Sequence, residues 1–232
     1  MTPRTPADSF ADAAKALLQE HDLTDLLLRL TRDATRFAGG DAAGLLVRTG
    51  TTLEVLSSTS HAVTQLELYQ AMSTEGPCAE VLATGEPVVV AGSREIVDRW
   101  PGVGRAIVDA GFGSVHASPV AWQGGTLGAL NMFRRTEQPP DDSQRRTAQA
   151  FGDMLALVVV RPERLAAQDV DRRLARALGG RVAVEQAKGV LAQQLGLDMA
   201  AAYEELIDRS ARRGRTLTDT ARDVIRRAHQ RP

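Results

Sequence analysis

Ser114-Val-His-Ala-Ser-Pro-Val-Ala-Trp122, Gln123-Gly-Gly125 and Thr126-Leu-Gly-Ala-Leu-Asn-Met-Phe-Arg134 follow one another without interruption. Two apolar-rich segments of strand length bracket a turn whose glycines suit a tight hairpin. The pattern predicts an antiparallel strand pair. Upstream, Glu86-Pro-Val-Val-Val90 reads as a strand opened by proline. Residues 42–47 and 52–57 read as a second hairpin about Arg48-Thr-Gly-Thr51. Residues 63–72 and 103–110 have the texture of short helices, and Glu75-Gly-Pro-Cys78 that of a loop.

Helical pattern flanks these strands on both sides. Across residues 11–37, Leu17, Leu18, Leu23, Leu26, Leu27 and Leu30 recur near the 3.6-residue period, and Gly39-Gly40 stops the run. Residues 1–10 read as a flexible N-terminus, since Met1-Thr-Pro-Arg-Thr-Pro-Ala-Asp8 lacks the apolar core of a signal peptide. Pro139-Pro140-Asp141-Asp142 starts another helix, which carries Ala148, Phe151, Leu155, Val158 and Val159 on one face. Residues 11–160 thus form an α+β sensor-type domain with an antiparallel sheet and flanking helices.

Beyond residue 160 strand signals cease. Pro162 can open a helical linker over residues 161–180, which Gly179-Gly180 weakens. Three helices follow over residues 181–195, 199–213 and 217–229. Gly196 and Gly214 end the first two, Asp198 caps the second, and Thr216 with Asp219 resembles a capping box. Their apolar stripes are Val184, Ala187, Leu191; Met199, Tyr203, Leu206, Ile207; and Leu217, Ala221, Val224, Ile225, Ala228. Residues 181–232 are read as a small all-α domain of three helices.

The 232 residues carry 28 Lys+Arg and 29 Asp+Glu, a net charge of −1. With 43% hydrophobic residues, disorder over most of the chain is excluded. One cysteine, Cys78, excludes a disulfide framework within the chain. The apolar stretch Met154-Leu-Ala-Leu-Val-Val-Val160 falls far short of the roughly 20 residues a membrane span needs, so cytoplasmic location is expected. The near-neutral total hides a division. Residues 1–160 hold 13 Lys+Arg and 19 Asp+Glu, a net of −6, whereas residues 161–232 hold 15 and 10, a net of +5. A short helical domain with that surplus suits a phosphate backbone.

Arg181-Val-Ala-Val-Glu-Gln-Ala-Lys-Gly-Val-Leu191 resembles the opening helix of ANTAR domains, the RNA-binding modules of transcription antitermination regulators. The resemblance continues through Gly196-Leu-Asp198, Ala202-Tyr203, Leu206, Ala211-Arg-Arg213 and the helix from Leu217 through Ala221. The preceding domain is similar to GAF domains, small-molecule-sensing folds often placed before an ANTAR module. Glu75-Gly-Pro-Cys78, Ala83-Thr-Gly-Glu-Pro87 and Leu127-Gly-Ala-Leu-Asn131 carry that likeness. The resemblance implies a signal-responsive regulator that binds RNA hairpins with short loops in nascent transcripts and stabilises an antiterminator. It implies a homodimer, expected through residues 141–160 and 162–178. It also implies a small-molecule ligand or an upstream signalling protein at the GAF domain. The residues identify no particular ligand or cofactor.

Several cations are candidate RNA contacts. Lys188, the lone lysine of the C-terminal segment, shares a helical face with Arg181 and Glu185. Beside it Gly189 admits a close approach, either by RNA or by a packed helix. Arg212, Arg213 and Arg215 cluster where the second helix turns, and guanidinium planes stack on splayed bases and fork onto phosphates. Arg222, Arg226 and His229 suit a solvated stripe at least as well. Tyr203 lies on the apolar stripe, favouring core packing over base stacking. Cys78 is read as a buried structural thiol in preference to a redox or tetrapyrrole attachment point.

His21, His61, His116 and His229 lack metal-ligand spacing. No nucleophile elbow or P-loop is visible, so the chain is not expected to be an enzyme. Two other classes stay open at this stage. Three helices with basic faces also describe a DNA-binding helix-turn-helix regulator. A signalling protein whose terminal helices only dimerise, without nucleic acid, is the other.

Overall fold

The computed structural model describes residues 4–18, 22–73, 75–160 and 182–230. The chain divides into two compact units at residues 162/163. Arg181 and the linker read over residues 161–180 lie outside the described residues, as does all of the second segment expected at a dimer interface, residues 162–178.

In the first unit α1 (Pro6–Leu17) and α2 (Leu23–Phe37) precede β1 (Ala42–Thr49), β2 (Thr52–Ser58), α3 (His61–Ala71) and α4 (Pro77–Thr84). Then come β3 (Val88–Ala91), α5 (Ser93–Arg99), α6 (Pro101–Asp109), β4 (Ser114–Trp122), β5 (Gly125–Arg134) and α7 (Asp142–Val160). The five strands form one antiparallel sheet in the order β2-β1-β5-β4-β3. The hairpin that opened the sequence reading is β4–β5. Gln123 (φ 49°) and Gly124 (φ 82°) both take positive φ at its tip, the signature of a primed turn.

Both faces of the sheet are covered, so the central strands are buried almost continuously rather than alternately. Alternation survives in which core each residue joins. Leu45, Val47, Leu130, Met132 and Val120 meet Leu26, Leu30, Phe151 and Leu155 of α2 and α7. Leu46, Ala129, Phe133, Val115 and Ala117 meet Val63, Leu66, Val81, Ile96, Trp100 and Ile107 of α3 to α6.

Three sequence readings need correction here. The N-terminus is helical from Pro6, because Thr5 and Asp8 form a reciprocal capping box and proline occupies the first turn. Ser9 Oγ donates to Asp33, and the Phe10 ring packs 4.7 Å from that of Phe151. The single helical run across residues 11–37 is two helices, with Leu18 ending the first and Asp22 capping the second by accepting from the Asp25 amide at 2.9 Å. The loop read at Glu75–Cys78 opens α4, with Pro77 in its first turn.

In the second unit a helix over residues 182–195, here α8, is followed by α9 (Met199–Arg213) and α10 (Leu217–His229). The caps fall where the sequence places them. Asp198 accepts from the Ala201 amide at 2.8 Å, Gly214 closes α9, and Thr216 accepts from the Asp219 amide at 3.1 Å. Ala183, Ala187 and Leu191 pack with Ala202, Leu206, Ala221 and Val224. The α9 stripe is turned from the one expected: Ala202 and Leu206 are buried, while Met199, Tyr203 and Ile207 are partly exposed. Large side chains one helical row away masked the alanine that makes the tight contact.

At the centre of the sheet β5 approaches β1 so closely that a Cβ on Gly128 would lie 1.9 Å from the Leu46 carbonyl oxygen. Gly128→Ala forces backbone to move. It is expected to cost on the order of 3 kcal/mol, read as a lowered urea midpoint.

Candidate nucleic-acid interface and sensor core

Most described cations of the second unit pair with Glu185, Glu205 or Asp223. Lys188 on α8 places its ammonium 2.9 Å from Glu185 and 5.3 Å from the centroid of the Tyr203 ring on α9. Its side chain is only 17% exposed, so the charge is held in place. Gly189 beside it is not a packing glycine, because an added Cβ would meet no described atom within 4 Å. The surface there is open to an external partner.

Arg209 and Arg212, one turn apart on α9, reach Glu205 at 2.6 and 3.4 Å. Arg209's hydrogen bond, with Arg212 adding, holds that carboxylate below its ordinary range. Arg213 from the end of α9 meets Asp223 of α10 at 3.1 Å, and Arg227 reaches the same carboxylate at 2.9 Å. Arg226 is its third partner. Although its side chain is only 3% exposed, Asp223 stays ionised: burial pushes its carboxyl up, and the three guanidiniums outweigh that and hold it low.

Asp223 lies between two clefts. One, of about 330 Å³, has Arg209, Arg213 and Arg227 on its rim with Gln194 of α8. The other, of about 260 Å³, has Arg215, Arg222 and Arg226 with Asp219. Of the residues singled out from sequence, Arg213 and Arg215 therefore border these clefts, Arg212 sits on Glu205, and Lys188 pairs with Glu185 instead of joining the arginines. Asp223 and Glu205 were missed. The i, i+3 and i, i+4 spacing of Asp223 to Arg226 and Arg227 was the available signal. Tyr203, assigned to the core, is 37% exposed and forms the face on which Lys188 rests.

In the first unit the buried Glu67 and His116 lie on opposite faces of the sheet. Glu67 of α3 is fully buried against Gly44 and accepts from Asn131 Nδ2 at 2.9 and 3.0 Å and from Gln70 Nε2 at 2.6 Å. Gln70 Oε1 in turn accepts from the Cys78 amide at 2.9 Å. Burial raises the Glu67 carboxyl from 4.5 to about 8, against the pull of those two amides. Burial, with Glu67 adding to it, pushes the Cys78 thiol up to about 12, so the thiolate that redox or attachment chemistry needs is disfavoured. On the other face His116 of β4 is 2% exposed. Burial, then the charges of Arg134 and Arg145, lower it from 6.5 to about 4. Among the described residues no three His, Cys, Asp or Glu side chains gather as a metal site.

These shifts act oppositely on stability. From pH 4.5 to about 8 the unfolded chain releases the Glu67 proton before the folded one does, so stability falls as pH rises. For His116 stability is fully present above pH 6.5 and is lost as pH falls toward 4. The two effects offset each other between pH 4.5 and 6.5, and Glu67 acts alone of the pair above that. Thermal unfolding should therefore show a midpoint that drops from pH 6.5 to 8, and Glu67→Gln should flatten the drop. An unchanged slope would mean that Glu67 titrates as an ordinary carboxylate.

Comparison with known proteins places this geometry. Residues 22–159 match the GAF domain family and residues 172–225 the ANTAR domain family. No curated protein matches the chain. Among solved structures, the nlh2 GAF domain of A. aeolicus in an inactive state is 19% identical at TM-score 0.51, over 68% of this chain and 97% of that one. The GAF domain of an Acinetobacter phosphoenolpyruvate-protein phosphotransferase is 11% identical at TM-score 0.52, over 71% and 98%. A phycocyanobilin-bound GAF domain of a cyanobacterial phytochrome is 13% identical at TM-score 0.53, over 69% and 96%. At such identities these structures speak for the fold alone. GAF domains are signal sensors and ANTAR domains are RNA-binding antitermination modules, and among the described residues no helix is long and apolar enough to cross a membrane. Sheet topology, the terminal helices and both family matches agree: the chain belongs to the GAF family and has the GAF–ANTAR architecture.

Proposed function

We propose that this protein is a signal-responsive, RNA-binding antitermination regulator that holds an antiterminator hairpin in a nascent transcript. The observation that carries the reading is the ANTAR match over residues 172–225, in the segment holding a net +5 charge. Its arginine-bordered clefts and the positioned Lys188 supply the chemistry. Guanidiniums fork onto phosphate oxygens, the ammonium supplies a fixed charge, and the half-exposed Tyr203 offers a ring beside it. Binding selects one RNA fold over another, so the regulator acts by shifting a population. Two hairpins in one transcript call for two ANTAR domains. The working form is then a cytoplasmic homodimer, expected to sediment at twice the chain mass.

Fluorescence anisotropy with a labelled hairpin RNA tests this directly. Affinity should fall linearly with the logarithm of salt concentration, with a slope of magnitude about 2 or more. Unlabelled hairpin RNA should compete far better than duplex DNA. Equal competition by duplex DNA would favour a helix-turn-helix regulator, and no salt-dependent affinity would leave only a dimerising role. Lys188→Ala should weaken RNA binding about tenfold with the helical circular dichroism retained. Gly189→Ala separates fold from function: it should stabilise α8 by about 0.5–1 kcal/mol while RNA affinity falls. Unchanged RNA affinity in both variants would remove these residues from the interface.

A further inference from the structure

On the α7 face of the sensor unit the edge strand β3 and its neighbour β4 leave a cleft of about 430 Å³ beneath the first turns of α7. Its lining is Pro87, Val89, His116, Arg145, Arg146 and Gln149. Val89 and His116 are directly paired across β3 and β4. They therefore project on the same face of the sheet. Farther along α7 the helix lies against β4: a Cβ on Gly152 would stand 3.0 Å from the Pro119 carbonyl, and Gln149 donates to that carbonyl at 3.1 Å. Gln149 also donates to Asp153 at 2.8 Å, so this wall is fixed from two sides.

The walls divide by chemistry. Pro87 and Val89 give an apolar floor, and proline leaves no amide hydrogen on the edge strand there. Arg145 donates to the Pro140 carbonyl at 2.8 Å and pairs with Asp142, which anchors the guanidinium at the rim. Among the described residues no carboxylate lines the cleft, so Arg146 leaves it a net positive charge even when Asp142 is counted against Arg145. Deepest in it is the imidazole. Its Nε2 lies 3.3 Å from Ser118 Oγ, while Nδ1 is buried with no hydrogen-bond partner among the described residues. An orphaned buried ring nitrogen costs stability, and this one belongs to a side chain that lines the cleft.

We propose that this cleft binds a small organic carboxylate, its anionic head on Arg145 and Arg146 and its apolar body over Pro87 and Val89 toward the His116 ring. A cation would meet two guanidiniums, and a bare inorganic anion would leave the apolar floor uncovered. The volume suits a small metabolite. The site deepens the sensor half of the function proposed above, and its readout is independent of RNA.

Histidine ring signals of the full-length, 15N-labelled protein report on it, with His116 assigned by its loss in His116→Gln. If that variant does not fold, His21→Gln, His61→Gln and His229→Gln assign it by elimination. The probe is benzoate, compared with benzamide, which keeps the body and lacks the charge, and acetate, which keeps the charge and lacks the body. Benzoate should shift the His116 ring saturably, with a dissociation constant in the millimolar range or tighter. Benzamide and acetate should bind at least tenfold more weakly, as should benzoate to Arg145→Gln/Arg146→Gln, whose unfolding midpoint should stay close to that of the parent. A His116 ring indifferent to benzoate overturns the proposal. So does equal binding of benzamide or acetate, or full benzoate affinity in the double arginine variant. RNA binding lost or kept in these samples bears on the other reading alone.

Discussion

The antiparallel pairing of β1 with β5 is the constraint on which the sensor unit rests. Register sets Leu46 against Ala129 and Val47 against Gly128, and the glycine brings the two backbones to a distance that no side chain tolerates. Because the pair is central, it separates two cores instead of bounding one. Leu45 and Val47 are committed to the α2–α7 side and Leu46 to the α3–α6 side. A slip of one residue would exchange them and send Asn131 to the wrong side of the sheet from Glu67. Register, both cores and the buried acid network are thus a single requirement.

Much of this was legible in the residues. The β4–β5 hairpin reads directly, because its turn glycines and flanking strand-length segments leave little alternative. The boundaries of α9 and α10 read equally well, since Asp198, Gly214 and Thr216 are local signals that act through their own neighbours. What failed to read was decided by distant contacts. α4 and α5 start at Gly76 and Gly92 with no side-chain cap, so Pro77 is the main local start signal for α4, and burial of Cys78, Val81 and Ile96 against the sheet holds both helices. The face of α9 was misjudged because Ala202 contributes little to any hydrophobic pattern, yet it packs where Tyr203 cannot.

The candidate interface was legible in composition and illegible in arrangement. Charge counting places the surplus on the terminal segment, but it treats every arginine as free. Among the described residues most are engaged: Arg209 and Arg212 with Glu205, and Arg213, Arg226 and Arg227 with Asp223. Three guanidiniums on one nearly buried carboxylate are oriented before any ligand arrives, and each keeps donors to spare. On the proposed function, an arriving phosphate would meet aligned forks and need not immobilise long side chains from many rotamers. On the proposed RNA-binding reading, the acidic residues of this basic unit matter as much as the arginines do.

Polar groups inside a sheet covered on both faces must find partners within the protein, and how far they do so distinguishes a structural network from a binding site. On the α3 face Glu67 meets Asn131 and Gln70, and Gln70 meets the Cys78 amide. The acid there is surrounded, and a Cβ on Gly44 would collide with it, so that face has no room for a ligand beside the carboxyl. On the α7 face His116 has Ser118 on one nitrogen, nothing on the other, and an open cleft with arginines at its mouth. Both groups are buried within one small unit, and their pKa values are displaced by similar physics. The Asn131 amide oxygen on the α3 face also lacks a partner among the described residues, but it lies within a packed network. His116 instead lines a cleft bordered by arginines, and that placement favours recognition on the α7 face.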